Sequence, residues 1–292
     1  MPRGHHAGRM QQTKREVQEM ARTARVKSTA EGTAYYHLTS RACNRQFLFR
    51  KAKVKTRLAE LIRIAAEFSG VVLEAFTVMD NHIHVLCKIV RGGVVTQEEV
   101  VRRVALLKGA KAAEELSRRW DALAASGLGE ELEKELGRYR RRMDDISEFM
   151  KTLKEMFAIW FNREYGYSGS VWSGVFKSTM VEGGRYLEYC RRYVSMNPIR
   201  AGIVSQEKDY PWTWRAERGY FAGDCVPVFA GTRRVAQLTS GKIFGSAAFV
   251  AEWARRLGSK FPAASVVARA VWDIGFATHG WRLAKRDEAA AA

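Results

Sequence analysis

The chain has 292 residues and 47% hydrophobic content, enough for a sizeable buried core and more than one typical domain requires. Its net charge of +18 and pI near 10.0 predict a polyanionic partner, nucleic acid being the commonest for a chain of this kind, and its stretches are too short and polar for a run of roughly eighteen apolar residues, which excludes a transmembrane helix and a membrane partner. Four scattered cysteines with no CxxC pair argue against a zinc ribbon or disulfide framework, and a basic start without an apolar segment after it argues against secretion, so the expected compartment is the cytoplasm of a bacterium.

Residues 1–30 read as a basic tail with a helical pattern from Gln11 to Arg25, which either contacts phosphates or is a solvated leader. Thr33 to Ser40 reads as a strand, and Lys51 to Ser69 as an amphipathic helix stopped at Gly70. Val71 to Met79 is a second strand; after a short break at Asp80-Asn81, a third runs to Val90. The chain then turns to charged helices, Glu98 to Leu107, Ala110 to Ala125, Leu128 to Arg142 and Asp144 to Tyr165, an insertion at about 96–165 between the third and fourth strands. Val175 to Val181 is the fourth strand, and Arg185 to Met196 a helix that Pro198 should end near Asn197. Phe244 to Leu257 and Ala263 to Phe276 read as two further helices, followed by a frayed Ala-rich end.

Two patterns carry chemistry. In the third strand His82 and His84 project from one face, because side chains alternate along a strand, so two imidazoles can converge on one ion. In the helix from Arg185, Tyr193 and Asn197 lie one turn apart; the Asn197 amide oxygen can complete a metal site while the Tyr193 phenol faces what the metal polarises. Tyr186, Tyr189 and Tyr193 share a helix face, a pattern that also fits a plain core stripe; Tyr193 is preferred as nucleophile because it alone precedes Asn197 by one turn, with Tyr189 as fallback. Lys177, Arg191, Arg192 and Arg200 are the expected phosphate contacts, and Trp172 and Phe176 the expected stacking platforms for unpaired bases, whereas Trp212 and Trp214 are expected to pack. His37 is expected near the two histidines in a structural or substrate-contact role rather than as a ligand.

The segments FTVMDNHIHVL (76–86) and YLEYCRRYVSMNPIRAGIV (186–204), with YYHLTSRACNRQFLF (35–49), GSVWSGVFK (169–177) and DYPWTW (209–214), resemble the HUH family of single-tyrosine transposases. They are most similar to its REP-associated tyrosine transposase branch, relatives of the IS200/IS605 transposases, over roughly residues 33–217. The resemblance implies cleavage and rejoining of single-stranded or hairpin DNA through a 5′-phosphotyrosine on Tyr193, with Mg2+ or Mn2+ held by His82, His84 and Asn197. On ligand preference alone two imidazoles suit zinc or manganese better than magnesium. The insertion-sequence relatives place glutamine where this chain has Asn197, a side chain shorter by about 1.5 Å, so ligation is either direct or through water. The REP-associated branch resembles this chain in having asparagine there.

The expected fold class is α+β: a ferredoxin-like or RRM-like antiparallel sheet of four or five strands with helices on one face, a helical insertion and a helical C-terminal extension. The expected division is a tail at 1–30, a transposase domain at 31–217 and an accessory region at 218–292, acting as monomer or homodimer. The alternative from another class is a non-catalytic nucleic-acid-binding protein that keeps an RRM-like sheet. A metallo-β-lactamase-like hydrolase is disfavoured because no Asp-His pair follows the HxH.

Overall fold

The computed structural model describes residues 25–28, 32–216 and 243–257. Its elements are β1 (Gly32–Arg41), α1 (Ala52–Phe68), β2 (Val72–Val78), β3 (His82–Arg91), α2 (Gln97–Lys108), α3 (Ala110–Ala125), α4 (Gly129–Arg140), α5 (Ile146–Tyr165), β4 (Lys177–Val181), α6 (Arg185–Ser195), α7 (Asn197–Arg200), β5 (Thr213–Arg215), β6 (Ile243–Phe244) and α8 (Ala247–Leu257). The strands form one sheet in the order β5-β2-β3-β1-β4-β6, antiparallel except for the last pair. The fold is α+β, as the sequence predicts, and the histidine strand lies near the middle of the sheet.

Local chemistry sets the boundaries. Asp80 and Asn81 form the tight turn of the β2–β3 hairpin, closed by the Met79 amide donating to the His82 carbonyl at 2.8 Å. The turn fixes which way β3 leaves it, and hence which face His82 and His84 occupy. Asp145 begins α5 by accepting from the amides of Ser147 and Glu148, and Gly166 ends it in the left-handed conformation, at φ 59°. The helices α2, α3 and α4 gather around their own small core, in which buried Trp120 donates its indole N–H to Glu135 at 3.0 Å.

Strand alternation divides the core in two. Tyr36, Leu38, Ile83, Val85 and Cys87 point to one face and pack with α1 and α5. Leu86, Ala75 and Val181 point to the other, where α6 lies with Leu187, Tyr189, Cys190 and Tyr193. The expectation of helices on one face therefore needs correcting: α1 and α5 cover one side and α6 the other. The reason lies in α6 itself, whose buried side is built for apolar cover while its tyrosine must meet the histidine side of β3.

The short strands β5 and β6 were not anticipated. Phe244 was expected to open a helix, but Ile243 and Phe244 instead run parallel to Met180 and Val181, and the helix begins at Ala247. The expected tail helix, the helix Ala263 to Phe276 and the C-terminal end lie outside the described residues. Among those described, no helix is long and apolar enough to cross a membrane.

Candidate functional site

Four strands and one helix meet at the histidines. Antiparallel register sets Thr39 and Arg41 of β1 beside His84 and His82 of β3, with Lys177 of β4 beyond Thr39 and Thr77 of β2 on the other flank of His84. Paired residues share a face, so one polar row, Thr77–His84–Thr39–Lys177, crosses four strands on the side facing α6. His82 and His84 are brought together as expected, their ring centroids 4.9 Å apart. Tyr193 descends on them from α6: its ring stands edge-on to both His84 and His37, 5.7 Å from each. Tyr186 and Tyr189 instead meet Phe244 of β6, at 5.5 and 5.7 Å. Of the three helix tyrosines, then, Tyr193 is the one set against His84.

The hydrogen bonds orient both imidazoles. Asn81 donates its Nδ2 to the Arg45 carbonyl at 3.2 Å, which turns its Oδ1 toward His82 Nδ1 at 2.7 Å. An amide oxygen only accepts, so His82 carries its proton on Nδ1 and keeps the Nε2 lone pair. In the same way His84 has its Nδ1 engaged, 2.9 Å from His37 Nε2, with the two rings parallel and meeting edge to edge. Asn197 donates Nδ2 to the Tyr193 carbonyl at 2.7 Å and to that of Val194 at 3.4 Å, capping α6 and reserving Oδ1 as its remaining acceptor. Two Nε2 lone pairs and one amide oxygen are a donor set that fits a divalent ion. Among the described residues, no group of three or more His, Cys, Asp and Glu could hold a metal.

Electrostatics keep the imidazoles neutral. Burial pushes His82 down to about 4 from the usual 6.5, with the Arg41 charge acting in the same sense and Asp80 against it. Burial also holds His84 well below the ordinary range, reinforced by His37, His82, Arg41 and Arg200. Neutral imidazole is the form that ligates a metal. The Tyr193 phenol, only 1% exposed, is raised by burial, while Arg200 opposes the rise through its charge and a hydrogen bond. The Arg200 guanidinium lies 5.1 Å from the centre of the same ring.

Residues 31–127 match the family transposase IS200 like. The match covers a third of the chain and includes both histidines, while Tyr193 and Asn197 lie beyond it. No curated protein matches. Two of the similar solved structures have low identity to this chain. One is a REP-associated tyrosine transposase bound to a REP hairpin: 13% identity, TM-score 0.40, covering 68% of this chain and 94% of that one. The other is a candidate transposase from Deinococcus radiodurans R1: 14% identity, TM-score 0.31, covering 64% and 98%.

The expected DNA contacts divide sharply. Lys177 is exposed on the histidine side, and Arg200 reaches Tyr193. Arg192 lies 3.9 Å from Glu207, mostly covered. Arg191 is turned inward: its guanidinium is buried against Glu74 of β2 and Glu188, so it is not placed to grip a phosphate. Trp172 and Phe176 are also buried, on the sheet face opposite Tyr193. Trp172 packs on Phe49 and Phe157, and Arg25 lies over Phe176 at 4.0 Å, so neither ring is a platform at this site. Trp212 packs as expected, its indole donating to Thr56, whereas Trp214 lies on Phe76 and remains exposed.

Sequence reading missed Arg41 and Asn81 and left His37 without a definite role. Arg41 is exposed, directly across from His82, and its charge reaches His82, His84 and Tyr193. Its two-residue spacing from Thr39 and four-residue spacing from His37 put all three on one strand face, a signal that becomes usable once β1 and β3 are paired.

Proposed function

We propose that this protein cuts and rejoins single-stranded or hairpin DNA, with Tyr193 as nucleophile and a divalent ion, Mg2+ or Mn2+, held by His82, His84 and Asn197. The observation that carries this reading is the placement of Tyr193, edge-on to His84 and His37 at 5.7 Å, while its neighbours Tyr186 and Tyr189 pack away on Phe244. The bound ion would neutralise charge building on a non-bridging phosphate oxygen and ease departure of the 3′ oxygen. Tyr193 Oη forms a bond to phosphorus as the P–O3′ bond breaks; the phenol proton passes to solvent and the departing oxygen takes one from it. The products are a 5′-phosphotyrosine and a free 3′-hydroxyl, and attack by a 3′-hydroxyl reverses the step without ATP.

Arg200 is suited to stabilise the phenolate, since it already bonds the phenol and opposes the effect of burial. Arg41 and Lys177, exposed on the same sheet face, are suited to hold the flanking phosphates. Asn197 ties the nucleophile's own carbonyl to the residue that offers a ligand oxygen, so phenol and ligand move together. A non-catalytic nucleic-acid-binding protein could use the same exposed Arg41 and Lys177 but would form no covalent adduct.

The test is incubation with labelled single-stranded DNA from the flanks of the protein's own gene and Mn2+, followed by a denaturing gel. Wild type, Tyr186→Phe and Tyr189→Phe should give a covalent band, and Tyr193→Phe none while still binding DNA. An adduct that persists in Tyr193→Phe refutes the assignment.

A further inference from the structure

The His37–His84 contact is more than packing. Both rings are buried, 1% and 3% exposed, and parallel, with His37 Nε2 and His84 Nδ1 separated by 2.9 Å. Between two neutral imidazoles, one of the facing nitrogens must carry the proton and the other must accept it. If His37 donated, His84 would hold its own proton on Nε2, the nitrogen needed for a metal. If His84 donates from Nδ1, its Nε2 lone pair is bare. The second arrangement reproduces what Asn81 imposes on His82, where an amide oxygen can only accept.

We propose that His37 is a positioning residue for the metal site: it accepts the Nδ1–H of His84, fixing that ring's orientation and leaving its Nε2 unprotonated. This inference rests on the reading of His82 and His84 as ligands. Asn81 and His37 then play matched roles, one behind each histidine, yet come from different elements, the β2–β3 turn and the centre of β1. The hydrogen bond, lying in the plane of both rings, restrains rotation of His84, and β1, flanked by β3 and β4, gives His37 little room to shift. Partners of this kind behind a metal-bound histidine typically govern affinity by about 10- to 100-fold.

The side chain of glutamine places its amide near the position of a histidine Nε2, whereas asparagine stops short and phenylalanine keeps the ring without an acceptor. Mn2+ titration of the DNA-free protein, read by the electron paramagnetic resonance of free Mn2+, should therefore show about 10- to 100-fold weaker binding in His37→Phe and His37→Asn. His37→Gln should stay within about threefold of wild type. Single-stranded DNA affinity in EDTA should be unchanged in all three. Long-range proton–nitrogen spectra of the metal-free wild type should show His84 as the Nδ1–H tautomer. Wild-type Mn2+ affinity in both His37→Phe and His37→Asn, loss in His37→Gln equal to that in His37→Phe, or an Nε2–H tautomer at His84 would each overturn the proposal. His82→Ala with His84→Ala separates the two levels. If that double variant loses Mn2+ while the His37 variants do not, the metal site stands and the positioning role fails; if wild type itself binds no Mn2+, both fall.

Discussion

Arg191 offers the most direct way to separate a phosphate contact from a structural charge. It and Glu74 are 5% and 3% exposed; its Nε donates to Glu74 Oε2 at 3.1 Å, and the rest of its guanidinium pairs with Glu74 and Glu188. In Arg191→Ala, Lys88 at 3.9 Å is the cation still within reach of Glu74. Removing one partner of a buried pair strands the other charge, which costs about 3–5 kcal/mol. With a urea dependence of about 2 kcal/mol per molar, the unfolding midpoint should fall by about 1.5–2.5 M. The companion Glu74→Gln/Arg191→Met removes both charges of the most buried pair and should recover part of that loss, since Glu188 and Lys88, which lose their partners, are less deeply buried. Urea unfolding followed by far-ultraviolet circular dichroism gives the midpoints, and DNA binding is measured on the folded fraction. A midpoint shift below about 0.5 M together with a clear loss of DNA affinity would refute the buried-pair account and restore Arg191 to the phosphate contacts.

Acid should act through the histidines. Because the folded-state value of His82 lies at about 4, below the usual 6.5, the unfolded chain takes up the proton first, so stability falls as pH drops from about 6.5 toward 4 and the effect is absent above 6.5. In EDTA, His82→Gln should lose about 2–3 kcal/mol less than wild type between pH 7 and 4.5, measured by denaturant unfolding; equal acid sensitivity would count against a neutral, buried His82. Lys177→Ala and Arg41→Ala should each lower the slope of log affinity against log salt for single-stranded DNA by about one unit or slightly less, with stability within about 0.5 kcal/mol; an unchanged slope removes that residue from the interface.

Much of this site could be read from the sequence because its strongest signals are periodic. Alternation alone puts His82 and His84 on one face, and one helical turn relates Tyr193 to Asn197. What could not be read depends on pairing between distant segments. Arg191 looks like a solvated helix charge until Glu74, 117 residues away, is known to lie beneath it. Trp172 and Phe176 sit among glycines and serines and look available, yet the segment carrying them folds onto α5. β6 is two residues long, too short to show any alternation, and its existence depends on the exposed edge of β4. His37 acquires a partner only when β1 docks between β3 and β4.

That same docking order has a consequence for how the chain is made. The hairpin β2–β3 and its neighbour β1 lie within residues 32–91, so both histidines and their supports come from one early, largely local stretch. The tyrosine follows only after four helices, and the strand that covers its helix comes later still. Contacts that span such separations form slowly, and chains leaving the ribosome fold their leading parts first. A growing chain would thus carry two of the three proposed ligands well before it carries Asn197 or the proposed nucleophile Tyr193, so the proposed site would be complete only after the sheet that holds its histidines.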